Sequence, residues 1–297
     1  MTDQDATADK FRVHHLNLQL AKELSEGWSF FTEIEYEDGP KIEFDDNDQI
    51  EEASGALMVE TMYVDAEVNH YVTLRMGRYL DPAGIWTVNH YAPFVPTMVK
   101  PLLVGKVFPS TLDGLQAFGS KPLGSSYTGE YKLYTGNGFG EPGKLDSNSN
   151  KAAGGSFNLK FLSLYDLNIG LSAYRDSDTS DTKIDALGTD VQFRVKSFAF
   201  QGEYANAERE TRANVNTRRA GWYAQGIYDI KKVSLIYRYD TYRDTAEANR
   251  DHDTNTVAIN YHFTPNIVAK LEHNMHKLTT TEDFNQTIAT LAVFLGK

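Results

Sequence analysis

The sequence predicts an all-β protein, a transmembrane antiparallel β-barrel, on three observations. Short runs alternate apolar and polar residues with a period of two, the pattern of strands with two different faces. The connections between runs are alternately short and long along the whole chain, as in barrels that gather tight turns at one end and larger loops at the other. Aromatic residues are abundant, with 17 Tyr, 16 Phe and 3 Trp, matching the girdles such barrels carry at both water–lipid boundaries. A β-sandwich or a propeller would not sort its loop lengths so consistently.

Phe11–Ala21 reads as the first strand, with Leu16, Leu18 and Leu20 on one face and Asn17 and Gln19 on the other. Trp28–Tyr36 returns after a short turn at Glu23–Gly27, and an acidic loop follows over about 38–54. Strands near 56–66 and 71–80 meet at Glu67–His70. The next segment, Asp81–Asp113, does not alternate, and Pro82, Pro93, Pro96, Pro101 and Pro109 rule out a helix or a central strand there. It is nevertheless apolar, with Ile85, Trp86, Phe94, Leu102 and Leu103, so it is expected to pack inside the barrel as a constriction loop. His90, Lys100 and Lys106 are its candidate constriction residues.

Strands near 114–120 and 126–135 lead into a Gly-rich loop over 136–153. The hairpin 154–175 turns at Leu162–Asp166, and a polar loop runs to about 183. Ile184–Val195 and Phe198–Ala205 join at Lys196–Ser197, and Arg219–Ile230 and Val233–Tyr242 join at Lys231–Lys232. Charged loops follow each of these hairpins. Thr254–His276 forms the clearest hairpin: Val257, Ile259, Tyr261 and Phe263 alternate with Ala258, Asn260 and His262 before Thr264-Pro265-Asn266 turns the chain. Phe284–Leu295 is the last strand. This gives 15 strands over residues 11–297, read as a single domain, with residues 1–10 expected to be disordered. Bacterial single-chain barrels normally have an even number. The expectation is therefore about 16 strands in a full-length form, with a first strand and a signal peptide ahead of this sequence; otherwise the first and last strands would have to pair in parallel.

Composition excludes several function classes. There is no Cys, so disulfides and thiolate metal sites are excluded. A net charge of −12 disfavours nucleic acid as a partner. No apolar run approaches the roughly 20 residues of a transmembrane helix, and the negative mean hydropathy fits an alternating barrel as well as a soluble chain.

Local motifs carry little chemistry. Gly138-Phe139-Gly140-Glu141-Pro142-Gly143 has dinucleotide-loop spacing, but Pro142 and the polar run after it give a loop where a helix N-terminus is needed. Asp45, Asp46, Asp48, Glu51 and Glu52 lack the Gly of a calcium loop and read as a solvated acidic loop, able to meet lipopolysaccharide through divalent cations. His14 and His15 are placed on opposite strand faces, as are His273 and His276, and Asp251-His252-Asp253 falls in a loop without a fixed partner; no metal site or cofactor is expected. Neither G-x-S-x-G nor H-E-x-x-H occurs.

What remains is the polar parity of the strands. With the apolar parity outward, the lumen face holds Glu33, Glu35, Arg75, Glu130, Lys132, Asp190, Gln192, Arg194, Gln201, Glu203, Arg238, Asp240 and Lys270. Each Arg or Lys would cost about 2–4 kcal/mol in mid-membrane hydrocarbon, a cost the inward placement removes. Acids and bases on the same lumen set a field that biases which ions enter, and both signs are present.

The segments VETMYVDAEVNHYVTLRMGRYLDPAG (59–84), FPSTLDGLQAFG (108–119), VSLIYRYD (233–240) and VAINYHFTPNIVAKLEH (257–273) resemble the phosphate-selective porin O/P family and related outer-membrane porins. The resemblance implies a 16-stranded, usually trimeric outer-membrane channel. It does not extend to a lumenal Arg/Lys ladder, so phosphate selectivity is not carried over. The expected function is passive diffusion of small polar or charged solutes or ions, without catalytic residues. The expected partners are outer-membrane lipid, lipopolysaccharide and a possible homotrimer. The alternatives are an outer-membrane barrel hydrolase, marked by a Ser, a His and a carboxylate within reach of one another, and a soluble β-rich binding protein.

Overall fold

The structure is a computed structural model, and it describes residues 11–37, 41–44, 50–53, 56–139, 150–161, 165–178, 180–246, 251–279 and 282–296. The strands are β1 (Phe11–Arg12), β2 (His15–Ser25), β3 (Trp28–Glu37), β4 (Lys41–Phe44), β5 (Ile50–Ala53), β6 (Ala56–Asn69), β7 (Val72–Leu80), β8 (Thr111–Pro122) and β9 (Tyr127–Asn137). They continue with β10 (Ala152–Phe161), β11 (Leu167–Ser177), β12 (Lys183–Val195), β13 (Phe198–Glu210), β14 (Asn216–Ile230), β15 (Val233–Asp244), β16 (His252–Thr264), β17 (Ile267–Leu278) and β18 (Phe284–Val293). Fifteen of them form one antiparallel sheet in the order β18 through β6, then β3 and β2, each paired with its neighbour in sequence apart from the skip over β4 and β5. Among the described residues no ladder joins β2 to β18, so the parallel closure considered for 15 strands is not formed.

Two expectations are corrected here. The first strand is interrupted: Phe11 and Arg12 pair with Ile42 and Lys41, and the main-sheet strand begins at His15. The acidic loop is not wholly irregular either, because β4 and β5 make a small sheet with β1 beside the main one. Residues 1–10, Asp45, Asp46, Asp48, and the glycine motif from Gly140 onward lie outside the described residues, as do the side chains of Glu51 and Glu52.

The two faces of the sheet are inverted relative to a soluble protein. Leu16, Leu18 and Leu20 are 63%, 66% and 57% exposed, and the Val257, Ile259 and Tyr261 row is exposed as well. The opposite parity buries polar groups: Glu33, Gln225, Arg238, Thr256 and Asn274 are fully enclosed. Apolar side chains thus face outward along strand after strand, which in water would be an aggregation surface and in lipid is the stable arrangement.

The tight turns carry the backbone conformations that two-residue hairpins need. Lys196 and Lys231 take φ of 53° and 55°, in the left-handed region used by primed turns. The long connection between β7 and β8 has no regular structure. It fills the concave side of the sheet, where Trp86, Val95, Leu103, Val107 and Phe108 join one apolar cluster with Tyr134, Tyr174, Tyr223 and Tyr242 of the strands. Tyr91 bonds to β3 while Ala92 and Val95 bond to β17, so strands near both ends of the sheet curl round this one segment.

The wall beneath the segment is flat because small residues pave it. A Cβ on Gly221 would stand 2.8 Å from Leu103 Cβ, and one on Gly188 would stand 3.0 Å from the Phe108 ring. Ala186, Ala205 and Ala207 are buried beside them. Any larger side chain there would occupy the volume the segment fills.

Candidate functional site

The interior is built from wall charges that meet the segment and wall charges that do not. Among the first, the backbone N–H groups of Ile85 and Trp86 donate to Glu203 Oε1 at 2.8 and 3.0 Å, and Tyr223 O–H donates to the same oxygen at 2.7 Å. Val99 N–H donates to Glu272 Oε1 at 3.1 Å, with Met98 N–H on the other oxygen of that carboxylate. Leu102 N–H donates to Asp240 Oδ1 at 3.0 Å. Carboxylates therefore satisfy backbone donors that an irregular buried segment would otherwise leave unpaired.

The cations do the converse. Arg238, 0% exposed, donates to Asp240 Oδ2 at 3.0 Å, to Thr97 Oγ1 at 2.6 Å and to the Val99 carbonyl at 2.9 Å. Lys270 Nζ donates to the carbonyls of Ala92 and Val95. Asn260 Nδ2 donates to the Pro96 carbonyl at 2.8 Å. Tyr91 O–H reaches Glu33 Oε2 at 2.9 Å, and Asn17 Nδ2 donates to Glu33 Oε1 at 2.7 Å. Glu33, Glu203, Arg238, Asp240 and Lys270 are thus placed inward but bonded to the segment.

The remaining charges of the inward set lie elsewhere. Arg75 is paired with Asp65 at 2.8 Å and stacked over the Tyr63 ring at 3.6 Å. Glu130 accepts from Lys160 Nζ at 2.7 Å, and Lys132 is half-buried on the same strand. Glu35 is held by His15. Asp190 is buried on β12, Gln192 and Gln201 are half-buried, and Arg194 is exposed at the short-turn end, bonded to Asp229 at 2.6 Å. Of the segment residues, Lys100 and Lys106 are exposed, with Lys106 Nζ 4.4 Å from the Tyr242 ring centroid, whereas His90 is half-buried with Nδ1 3.1 Å from the Thr87 carbonyl.

Sequence reasoning missed Glu272, Asn260, Thr97 and Tyr91. A signal existed for Glu272, which shares the parity of Lys270. Asn260 carried the same signal, on the face opposite Val257, Ile259 and Tyr261; none existed for Thr97 and Tyr91, whose partners Arg238 and Glu33 lie more than 50 residues away.

At the start of the segment, Asp81 is fully buried, with Ala83 N–H and Tyr134 O–H donating to its carboxylate. Burial pushes its pKa up to about 7. The folded value lies above the unfolded one of about 3.9. The stability from keeping the carboxyl neutral is therefore complete below about pH 4 and is lost as pH rises through about 7. Unfolding midpoints measured from pH 4 to 8 are expected to fall with rising pH. Asp81→Asn should make that slope shallower; an unchanged slope would remove Asp81 as a contributor.

Two histidine assignments are corrected. His14 precedes the main-sheet strand, so strict alternation does not separate it from His15, and their Nε2 atoms lie 3.1 Å apart. His252 does not sit in an unpartnered loop; it opens β16 and meets His276 across the β16–β17 ladder.

The hydrolase alternative has a local counterpart in Ser234, His262 and Asp229. Ser234 Oγ lies 3.2 Å from His262 Nε2 and donates to Asp229 Oδ1 at 2.6 Å. The order is unlike a nucleophile–base–orienter relay: the carboxylate takes the serine proton and the Arg194 guanidinium, and no bond runs from it to the imidazole. Among the described residues no three His, Asp or Glu side chains converge as a metal site.

Comparisons place this architecture among known proteins. The sequence model of the Gram-negative porin family matches residues 2–281. No curated protein matches by sequence. Solved structures with the same fold include a loop L8 deletion mutant of OmpT, an outer membrane protein of Vibrio cholerae, at 14% identity and a TM-score of 0.61 over 97% of this chain and 99% of that one. The anion-selective porin from Comamonas acidovorans is 12% identical with a TM-score of 0.62, over 94% of this chain and 84% of that one. Salmonella typhi OmpF, solved in complex with daunomycin, is 10% identical with a TM-score of 0.65, over 94% of this chain and 89% of that one.

Proposed function

This chain belongs to the Gram-negative porin family, and from that premise we propose that its interior conducts small polar or charged solutes by passive diffusion past the inward-folded segment 81–113. The protein is a porin channel of the bacterial outer membrane. Family and fold point to a non-enzymatic channel. The observation that carries the solute reading is the inverted wall, apolar outside and charged within.

Selection rests on width and wall charge. Lys100 and Lys106 on the segment, together with Arg75, Glu130, Lys132 and Lys160 on the wall, are the charges assigned to passing ions. Residues 11–297 are taken as one barrel domain. The O/P resemblance contributes the passive channel and no phosphate preference. A homotrimer in outer-membrane lipid and lipopolysaccharide is the proposed assembly; one solved OmpT of Vibrio cholerae is described as a trimer form.

Single-channel recording in a planar bilayer tests the reading. Folded protein should give discrete conductance steps, and Lys132→Glu should move the reversal potential in a salt gradient towards cation selectivity. Folded protein without steps would end the channel reading; steps with an unmoved potential would remove Lys132 from the path.

A further inference from the structure

The antiparallel register of β16 and β17 brings together two histidines that lie 24 residues apart in sequence. His252 Nε2 and His276 Nδ1 are 2.9 Å apart. The hydroxyl of Thr254, which is directly cross-strand from His276, stands 3.1 Å from His276 Nδ1 and 3.3 Å from His252 Nε2. Three donor atoms thus form one small triangular face. The corner is enclosed: Thr254 is 1% and His276 7% exposed, and the His276 ring is stacked on Phe284 at 4.4 Å with 19° between planes. His252 remains half-exposed, which leaves an approach from the long-loop end of the strands.

Hydrogen bonds can occupy only part of this triangle. The hydroxyl has one proton, and each neutral imidazole carries one on either of its nitrogens. An imidazole nitrogen either donates or accepts, so straight bonds can run along two edges of the triangle and not along all three. An ion at a common centre would engage all three atoms at once. Imidazole–metal bonds of about 2.0–2.1 Å put two nitrogens about 2.9 Å apart at a right angle and about 3.3 Å apart at a tetrahedral one. The observed 2.9 Å is also an ordinary hydrogen-bond length, and two nitrogens this close can meet one ion at the right angle of tetragonal Cu(II) or Ni(II) with little movement.

We propose that His252 and His276, with Thr254 at the third corner, form a binding site for a tetragonal divalent transition-metal ion, Cu(II) above all, on the inner wall at the long-loop end. Water completes the coordination, since no third His, Asp or Glu converges there among the described residues. The charge setting is mixed. Lys106 and Arg243 act on His252 as cations and Asp253 as an anion. Arg243 is itself engaged by Asp253 at 2.7 Å and by Asp251 at 3.8 Å. Arg238 acts on His276 as a further cation, so Lys106, Arg243 and Arg238 together are the repulsion a dication must overcome.

The test is Cu(II) titration of the refolded full chain in detergent, read by electron paramagnetic resonance, which does not depend on ion conduction. The exposed His14–His15 pair also has two nitrogens within reach of one ion, so the titration uses an H14Q/H15Q background. The expected result is one equivalent bound at micromolar concentration, with an axial signal split by two nitrogens. His252→Gln and His276→Gln should each weaken binding at least tenfold, and Lys106→Gln should tighten it. His273→Gln, on the outward face and bonded to Thr287, should leave it unchanged. Heat-dependent gel mobility reports that each variant is folded. No micromolar binding, or binding kept in both His252→Gln and His276→Gln, would overturn the assignment.

Discussion

Replacing Arg238 with Ala is expected to release the segment between β7 and β8 and to raise single-channel conductance several-fold. Arg238 is fully enclosed and ties Asp240 on its own strand to Thr97 and Val99 on the segment. Its loss strands a buried carboxylate, 1% exposed, without its cation. Breaking a buried pair in this way typically costs about 3–5 kcal/mol. The segment can relieve that cost by moving aside and admitting water to Asp240. The control is Arg194→Ala, which removes an exposed pair with Asp229 and should cost at most about 1 kcal/mol. Conductance and urea midpoint, measured on both variants, decide the point: equal effects would mean that the buried pair does not hold the segment.

The second large effect concerns the outer wall. Leu187 lies in the middle of β12 and is 64% exposed. Leu187→Arg should cost about 2–4 kcal/mol and cut insertion into bilayers, because the guanidinium would have to enter hydrocarbon. Gln192→Arg, on the same strand but the inward parity, should insert normally. Folding yield into lipid vesicles, followed by heat-dependent gel mobility, reads both. Equal yields for the two variants would remove the lipid-facing assignment of the wall.

Much of the architecture was legible in the sequence because a strand's two faces are a local property. Side chains alternate by backbone geometry alone, so Leu16, Leu18 and Leu20 could be assigned outward without knowing any neighbour. The same rule put Glu33, Arg238, Asp240 and Lys270 on the inner face. It failed at His14, where the strand had not yet begun, and over β4 and β5, where a charged stretch read as a loop pairs in a small separate sheet. Composition was the misleading signal there: Lys41–Phe44 and Ile50–Ala53 are only four residues each and flank an acidic run that reads as a loop.

Residues 81–110 mark where local reading stops. Their prolines and apolar side chains say that the segment is irregular and packed, and they do not say against what. Nothing local marks Gly188 and Gly221 until Phe108 and Leu103 are seen in the space a side chain there would fill. His252 and His276 read as isolated until the ladder register makes them neighbours. The sequence by itself determined the fifteen strands of the main sheet and the alternation of their apolar and polar faces, since each follows from periodicity and residue type along a short stretch of chain. Tertiary structure alone decided which wall charges bond to the long connection and which are left to water. Those choices depend on contacts between residues far apart in the chain, as Trp86 is from Glu203 and Val99 from Glu272, and no local pattern carries that information.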